Sequence, residues 1–154
     1  MCLIVREARI SDLESLYKIE IECFGSDAFT KNQLAYFLSS PEFVNLVAET
    51  DGIIVGFIIG SIRHYNNQRI GHILSLDISK RYRRRKIGSR LLNELEKIYI
   101  QKRVEICYLE VRADNTAALN LYRKFRFDIV GHLRNYYGIG VHGLRLKKTL
   151  RQVH

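Results

Sequence analysis

Proline occurs once in the 154 residues, at Pro41, and no Pro/Gly/Ser-rich linker, internal repeat or low-complexity tract breaks the chain, so nothing marks a domain boundary. Cysteine is scarce as well. Cys2, Cys23 and Cys107 are odd in number and far apart, which argues against a disulfide framework or a paired-thiolate zinc site and favours a reducing, intracellular compartment. Long apolar runs are missing too: the longest, around residues 53–62, is broken by Gly56 and Gly60 and falls well short of the ~20 residues a spanning helix needs. Arg6, Glu7 and Arg9 leave no room for the apolar centre of a secretory signal. A soluble, cytoplasmic protein without a membrane partner is expected. The histidines, His64, His72, His132, His142 and His154, show no metal-ligand spacing, so each is read as structural or exposed and no metal is implied.

What the chain does have is apolar residues and positive charge. An apolar share of 47% over 154 residues supports one hydrophobic core, so residues 1–154 are read as a single domain, with a monomer favoured. The net charge of +9 attracts anions without choosing among nucleic acid, ribosome, membrane surface and phosphorylated cofactor. Residues 3–8 read as a strand, and Ser11 or Asp12 can cap a helix whose stripe is Leu13, Leu16, Ile19 and Cys23. Thr30 opens a second helix through Leu38. Residues 43–49 and 53–63 read as strands joined at Asp51-Gly52, a dipeptide that tolerates positive φ. Residues 72–78 form another strand, followed from Ile87 by a helix with the stripe Leu91, Leu92, Leu95, Ile98 and Tyr99. Residues 104–111 are apolar on both alternating faces, as in a strand buried on both sides, with Glu110 standing out. Asp114 can cap a last helix, and residues 127–137 and 142–150 close the chain as strands.

The densest basic run, residues 80–86, lies between the strand 72–78 and Gly88-Ser89 at the start of a helix. A helix N-terminus offers unpaired N–H groups and the positive end of the peptide dipole to a phosphate, glycine allows close approach, and arginine adds donors. Neither the P-loop pattern nor the three-glycine dinucleotide fingerprint is present. Taken alone, the run also reads as an RNA-binding patch. Further on, Asn115 and Tyr122 are two helical turns apart, which puts them on one face and lets them address one ligand. Glu110, on its apolar strand, would gain proton affinity by burial and become a plausible base. For single residues the plain alternatives stand: a strand-end carboxylate paired with Arg112, and a core tyrosine.

Together these segments resemble the GNAT superfamily of N-acetyltransferases. The loop is similar to the family's acyl-CoA pyrophosphate signature, Arg/Gln-x-x-Gly-x-Gly/Ala, with Arg83 and Gly88 as its first and last members and Lys86 in the place of the first glycine. Residues 115–122 resemble the second signature, Asn-x-x-Ala-x-x-Leu-Tyr, followed by Phe127 with Arg126 where glycine is usual. The resemblance implies an α/β (α+β) fold with a single mixed, largely antiparallel sheet, splayed in its middle and flanked by about four helices. It implies acetyl-CoA as co-substrate, held by the backbone of Leu76 and Ile78, by Arg83, Arg84, Arg85, Lys86, Ile87, Gly88 and Ser89, and by Asn115. Tyr122 would protonate the departing thiolate, a cheap transfer if a phenol near ~10 faces a thiol near ~8.5.

Within the family, Leu-Glu-Val-Arg at 109–112 and a tyrosine twelve residues after the glutamate are similar to the RimI-like ribosomal-protein acetyltransferases, which makes Glu110 the base. Residues 134–137, Arg-Asn-Tyr-Tyr, are similar to the Arg-x-Tyr-Tyr segment of N-terminal acetyltransferases and mark Arg134, Tyr136 and Tyr137 as peptide contacts. Phe24 and Phe29 occupy the place of the substrate loop, with core packing as an equal reading. The implied activity is acetyl transfer from acetyl-CoA to the α-amino group of protein N-termini, those of ribosomal proteins beginning with alanine or a broader set, by direct attack in a ternary complex. The basic surface adds ribosome association as an expectation. A small-molecule amine acetyltransferase is the rival enzyme, and a catalytically inactive basic module for RNA or ribosomes is the rival of another class.

Overall fold

The computed structural model describes residues 2–150; His154 lies outside the described residues. One seven-stranded sheet has the order β1-β2-β3-β4-β5-β7-β6, built from β1 (Leu3–Glu7), β2 (Phe43–Thr50), β3 (Ile53–Tyr65), β4 (Gln68–Ile78), β5 (Ile106–Arg112), β6 (Asp128–Leu133) and β7 (Gly143–Thr149). Every neighbouring pair is antiparallel except β4 with β5. Four helices, α1 (Leu13–Phe24), α2 (Lys31–Ser39), α3 (Ile87–Gln101) and α4 (Thr116–Lys124), complete the layers. This is the mixed, largely antiparallel architecture expected from the sequence.

Local chemistry explains most boundaries. At the start of α2, Thr30 Oγ1 accepts the Gln33 N–H at 3.1 Å while Gln33 Oε1 accepts the Thr30 N–H at 2.8 Å, a reciprocal capping box. Asp51 and Gly52 turn the β2–β3 hairpin with φ of 52° and 76°. Asn66 and Asn67, at 47° and 63°, do the same for β3–β4, so β4 begins earlier than the expected residue 72. Asp12 stands at the N-cap of α1 without capping it by side chain; its carboxylate instead takes the Arg6 guanidinium at 2.9 and 3.0 Å.

The sheet separates two cores. On one face α1 and α2 bring Leu16, Ile19, Leu34 and Phe37 against Val47, Phe57 and Ile59. On the other, α3 seats Leu91, Leu92, Leu95 and Tyr99, all fully buried, against β2–β5, and α4 adds Tyr122. Burial of side chains this size contributes about 1.5–3 kcal/mol each. Tyr99 lies so close to the sheet that a Cβ at Gly71 would meet its ring at 2.6 Å, while its hydroxyl donates to the Ser61 carbonyl at 3.0 Å.

Candidate active site

The parallel pairing of β4 with β5 runs only from Ile70↔Ile106 to Ile73↔Leu109. Beyond that, residues 75–78 of β4 keep their antiparallel ladder with β3, and Glu110 to Arg112 of β5 keep theirs with β7. The sheet therefore opens between two strands that each remain anchored on the far side. A bulge marks the spot: Ile59 faces Ser75 and Gly60 faces Ile73, leaving Leu74 as a surplus residue on β4, and bulges bend the strand that carries them. Leu76 and Ile78 lie on the unpaired stretch, with polar backbone available to a ligand.

At the end of β4, a 3-10 turn (Lys80–Tyr82) and the basic run lead into α3. Lys86 is the N-cap, and no side chain caps the helix. The first intrahelical bond at this end runs from the Arg90 N–H to the Lys86 carbonyl, so the N–H groups of Ile87, Gly88 and Ser89 have no acceptor in the preceding turn. Such an end suits a pyrophosphate. Lys86 has φ 62° and Arg84 φ 63°, so both take the left-handed conformation in which glycine is the usual residue. The non-glycine residue at 86 thus keeps a glycine-like backbone, at a strain of about 1–2 kcal/mol.

Two expectations for this loop change in detail. Ile87 is 1% exposed, its side chain part of the core, so only its N–H can serve a ligand. Arg83 turns back, donating from Nε to the Ile78 carbonyl at 3.2 Å and from Nη2 to Cys23 Sγ at 3.4 Å. Arg84, Lys86 and Arg85 are exposed, the last stacked 5.2 Å over the Tyr82 ring. Gly88 admits α4, since a Cβ there would lie 3.3 Å from Leu121.

Across the opening, β5 is not buried on both sides. Cys107, Leu109 and Val111 enter the α3 core, while Tyr108, Glu110 and Arg112 alternate onto a half-open face. Glu110 gathers partners there. His72 Nε2 lies 2.7 Å from its Oε1, and Arg145 Nε donates to Oε2 at 3.1 Å. The expectation that burial raises the proton affinity of Glu110 is therefore reversed: burial does push its pKa up, but the His72 hydrogen bond and charge, then those of Arg145, outweigh it and hold the carboxyl below its ordinary range. With Glu110 ionised, the shared hydrogen sits on His72 Nε2, which leaves Nδ1 as the free ring position. His72, read from sequence as structural or exposed, thus stands beside Glu110 in the candidate site. Nothing in the sequence marks it, because its place opposite Tyr108, two residues before Glu110, is set by the β4–β5 register.

Tyr122 is 6% exposed on the α3 side, its ring edge-on to Phe127 at 5.5 Å. Burial first, then Cys107, Asp77 and Tyr137, push its phenol well above 10, so it is a weaker acid than its type suggests. Asn115 and Tyr122 do not present like faces. Asn115, not Asp114, caps α4, its Oδ1 accepting the Ala118 N–H at 3.1 Å, and it is exposed; Asp114 instead pairs with Arg112 at 3.0 Å.

Strand β6 ends at Leu133, so residues 134–137 form a turn and not the expected strand. Asn135, with φ 55°, organises it: its N–H donates to His142 Nδ1 at 3.0 Å and its Oδ1 accepts the Gly140 N–H at 2.9 Å. The turn stacks Tyr136 and Tyr137 edge-to-face at 4.9 Å, where a strand would send them to opposite faces. Gly143 makes room, because a Cβ there would lie 3.0 Å from the Tyr137 ring. Burial, Tyr136 and Glu110 are the leading influences that push the Tyr137 phenol up to about 12, which puts the turn within electrostatic reach of Glu110; Arg112 and Asp27 also act on it. Asp27, in the α1–α2 loop, was not singled out from sequence. Arg134 is exposed. Phe24 is 37% exposed and faces solvent, whereas Phe29 packs edge-on against Phe37 at 5.1 Å and belongs to the core. Among the described residues no group of three or more His, Cys, Asp or Glu could hold a metal.

Residues 13–127 match the model of the acetyltransferase (GNAT) family. The chain is 34% identical over 152 residues to an N-alpha-acetyltransferase from Sulfurisphaera tokodaii, covering 88% of this chain and 86% of that protein. Its fold superposes on the crystal structure of Ard1 from Thermoplasma volcanium with a TM-score of 0.87 and 28% identity, covering 99% and 100% of the two chains. A ribosomal-protein-alanine N-acetyltransferase from Brucella melitensis shares the fold at a TM-score of 0.83 and 23% identity, over 96% and 99% of the two chains. The chain belongs to the acetyltransferase (GNAT) family and to its N-alpha-acetyltransferase branch, and its acetyl donor is acetyl-CoA.

Proposed function

We propose that the protein acetylates the α-amino group of protein N-termini by direct attack of the amine on acetyl-CoA, with Glu110 and His72 receiving the amine proton and Tyr122 supplying one to the leaving group. The observation that carries this reading is the opening between β4 and β5, with uncapped N–H groups at one end and the Glu110–His72–Arg145 group on its β5 side. Acetyl-CoA supplies the activated acetyl group; the chain's part is to hold it, orient the amine and move two protons. An amine attacks only when neutral, and an α-amine near ~8 loses its proton far more readily than a lysine near ~10.4. Glu110 fixes the tautomer of His72, so the ring can take the proton at Nδ1 while the carboxylate stabilises the resulting imidazolium. Tyr122 stays protonated in its dry setting, and a thiolate released into the same setting has its own proton affinity raised by desolvation, which restores the match between donor and acceptor.

The peptide end would lie along the turn that carries Tyr136 and Tyr137, near Arg134, Phe24 and the α1–α2 loop. N-termini of ribosomal proteins that begin with alanine are the finer reading. It is supported by the resemblance of residues 109–112, with Tyr122 twelve residues after Glu110, to the RimI-like ribosomal-protein acetyltransferases, and by the charge of +9, which draws the protein to anionic ribosomal surfaces. Incubation with acetyl-CoA and a library of N-terminal peptides, read by mass spectrometry, is expected to place the acetyl group on the α-amine and to enrich alanine-first sequences. Acetylation confined to lysine side chains or small amines would overturn the proposal.

A further inference from the structure

The proton transfers above leave unused a buried polar group on the α1 side of the opening. Glu20 of α1 and Asp77 of β4 are each 1% exposed. Ser75 Oγ lies between them, 3.0 Å from Glu20 Oε1 and hydrogen-bonded to Asp77 Oδ1. A hydroxyl owns a single hydrogen. If Ser75 gives it to one carboxyl group, the contact with the other requires a hydrogen on that carboxyl. The three side chains therefore close as a hydrogen-bonded set only when Glu20 and Asp77 hold one proton between them. Asp77 Oδ2 is buried without a partner, which a carboxyl oxygen tolerates far better than a carboxylate oxygen does. Burial and the neighbouring Glu20 push Asp77 well above the usual carboxyl range.

The surroundings offer little to a second negative charge. Cys23 of α1 and Tyr122 of α4 are the other titratable groups that feel Asp77, and β3 faces it with the apolar Phe57. Arg83 is the cation acting on Asp77, and its guanidinium is already committed to the Ile78 carbonyl and Cys23. The connections of the set indicate its task. Glu20 Oε2 accepts the Phe29 N–H at 2.9 Å, which fixes the α1–α2 loop. Ser75 and Asp77 flank Leu76 on the stretch of β4 that is unpaired towards β5. One carboxyl group thus joins the loop on the peptide side to the strand on the cofactor side.

We propose that Glu20, Ser75 and Asp77 form a one-proton latch that sets the α1–α2 loop against β4 and thereby positions the incoming peptide end. Glu20 and Asp77 are positioning residues, and the inference rests on the reading that this loop borders the peptide site. Folding must retain a proton that the unfolded chain gives up near ~4, so the latch's contribution is complete below that pH and declines as pH rises through its raised folded value. Asp77→Asn makes the donor permanent. It is expected to melt several degrees above the wild type at about pH 8 and to lose that advantage near about pH 4, with acetyl-CoA affinity unchanged. Glu20→Ala releases the loop and is expected to raise the peptide KM about tenfold while sparing acetyl-CoA affinity.

Infrared spectroscopy gives an arm independent of any variant's folding: the wild type should show the C=O stretch of a protonated carboxyl near neutral pH. Absence of that band, an Asp77→Asn melting profile parallel to the wild type at every pH, or a folded Glu20→Ala with unchanged peptide KM would each overturn the latch. If the wild type acetylates no peptide, the functional reading fails by itself, and the infrared and melting arms still report the proton.

Discussion

The two walls of the opening are made of different parts. The wall of β4 and α3 offers backbone: an unpaired strand edge, three N–H groups and a left-handed turn, while Ile87 sinks into the core and Arg83 folds back. The wall of β5, β7 and the tyrosine turn offers side chains: Glu110, held by Arg145 and by His72 from the paired part of β4, and Tyr137 beside them. A backbone site asks only that each residue adopt the right conformation, so lysine can stand where glycine is usual. A side-chain site asks for particular atoms and tolerates little.

Substitutions can break this contrast, and the largest effect is expected on the side-chain wall. Glu110→Gln should lower turnover about 10³-fold with acetyl-CoA affinity unchanged, and adding His72→Gln should cost much less than the product of the single effects, because the two act as a unit. Steady-state kinetics with calorimetric titration of acetyl-CoA checks both. Next comes Tyr122→Phe, expected to lower turnover about 10²-fold, again sparing the cofactor. Gly143→Ala forces a methyl against Tyr137 and should raise the peptide KM about tenfold while leaving acetyl-CoA affinity alone. On the backbone wall, Lys86→Gly should change acetyl-CoA affinity less than about threefold, since it keeps the turn and removes one charge, and should raise the melting temperature by a few degrees. A hundredfold loss of acetyl-CoA affinity in Lys86→Gly would make that wall a side-chain site after all.

The smallest effect is in acid. Glu110, held below its ordinary range, contributes stability that is present above about pH 4.3 and is lost as pH falls through its lower folded value; Glu110→Gln should remove that part of the acid unfolding profile.

What the sequence made legible follows the same division. Element order, the Asp51-Gly52 hairpin and the Thr30 cap could be read because they depend on local chemistry, and the loop before α3 because its charge and glycine lie in one segment. Glu110 stands out in the sequence as a carboxylate on an apolar strand, but its proton affinity is not legible there because His72 and Arg145 reach it from other strands. Tyr136 and Tyr137 read in the sequence as strand residues; Asn135 at positive φ and its bonds to His142 and Gly140 make the turn, and those partners lie seven and five residues on. Nothing in the sequence singles out Glu20, because its partners, Ser75 and Asp77, are 55 or more positions away.

The surplus residue at Leu74 bears on how the fold and its passage can be separated. Ile73, Leu76 and Ile78 pack on the α3 side, whereas Leu74 and Ser75 both turn to the α1 side. Removing one of that pair would restore strict alternation without moving any neighbour to the wrong face, and it would take away the bend that leads β4 away from β5. A chain one residue shorter here would keep the same hydrophobic pattern and lose the bulge. The bend beside the opening is thus written as a count of residues, which a reading of residue types alone passes over.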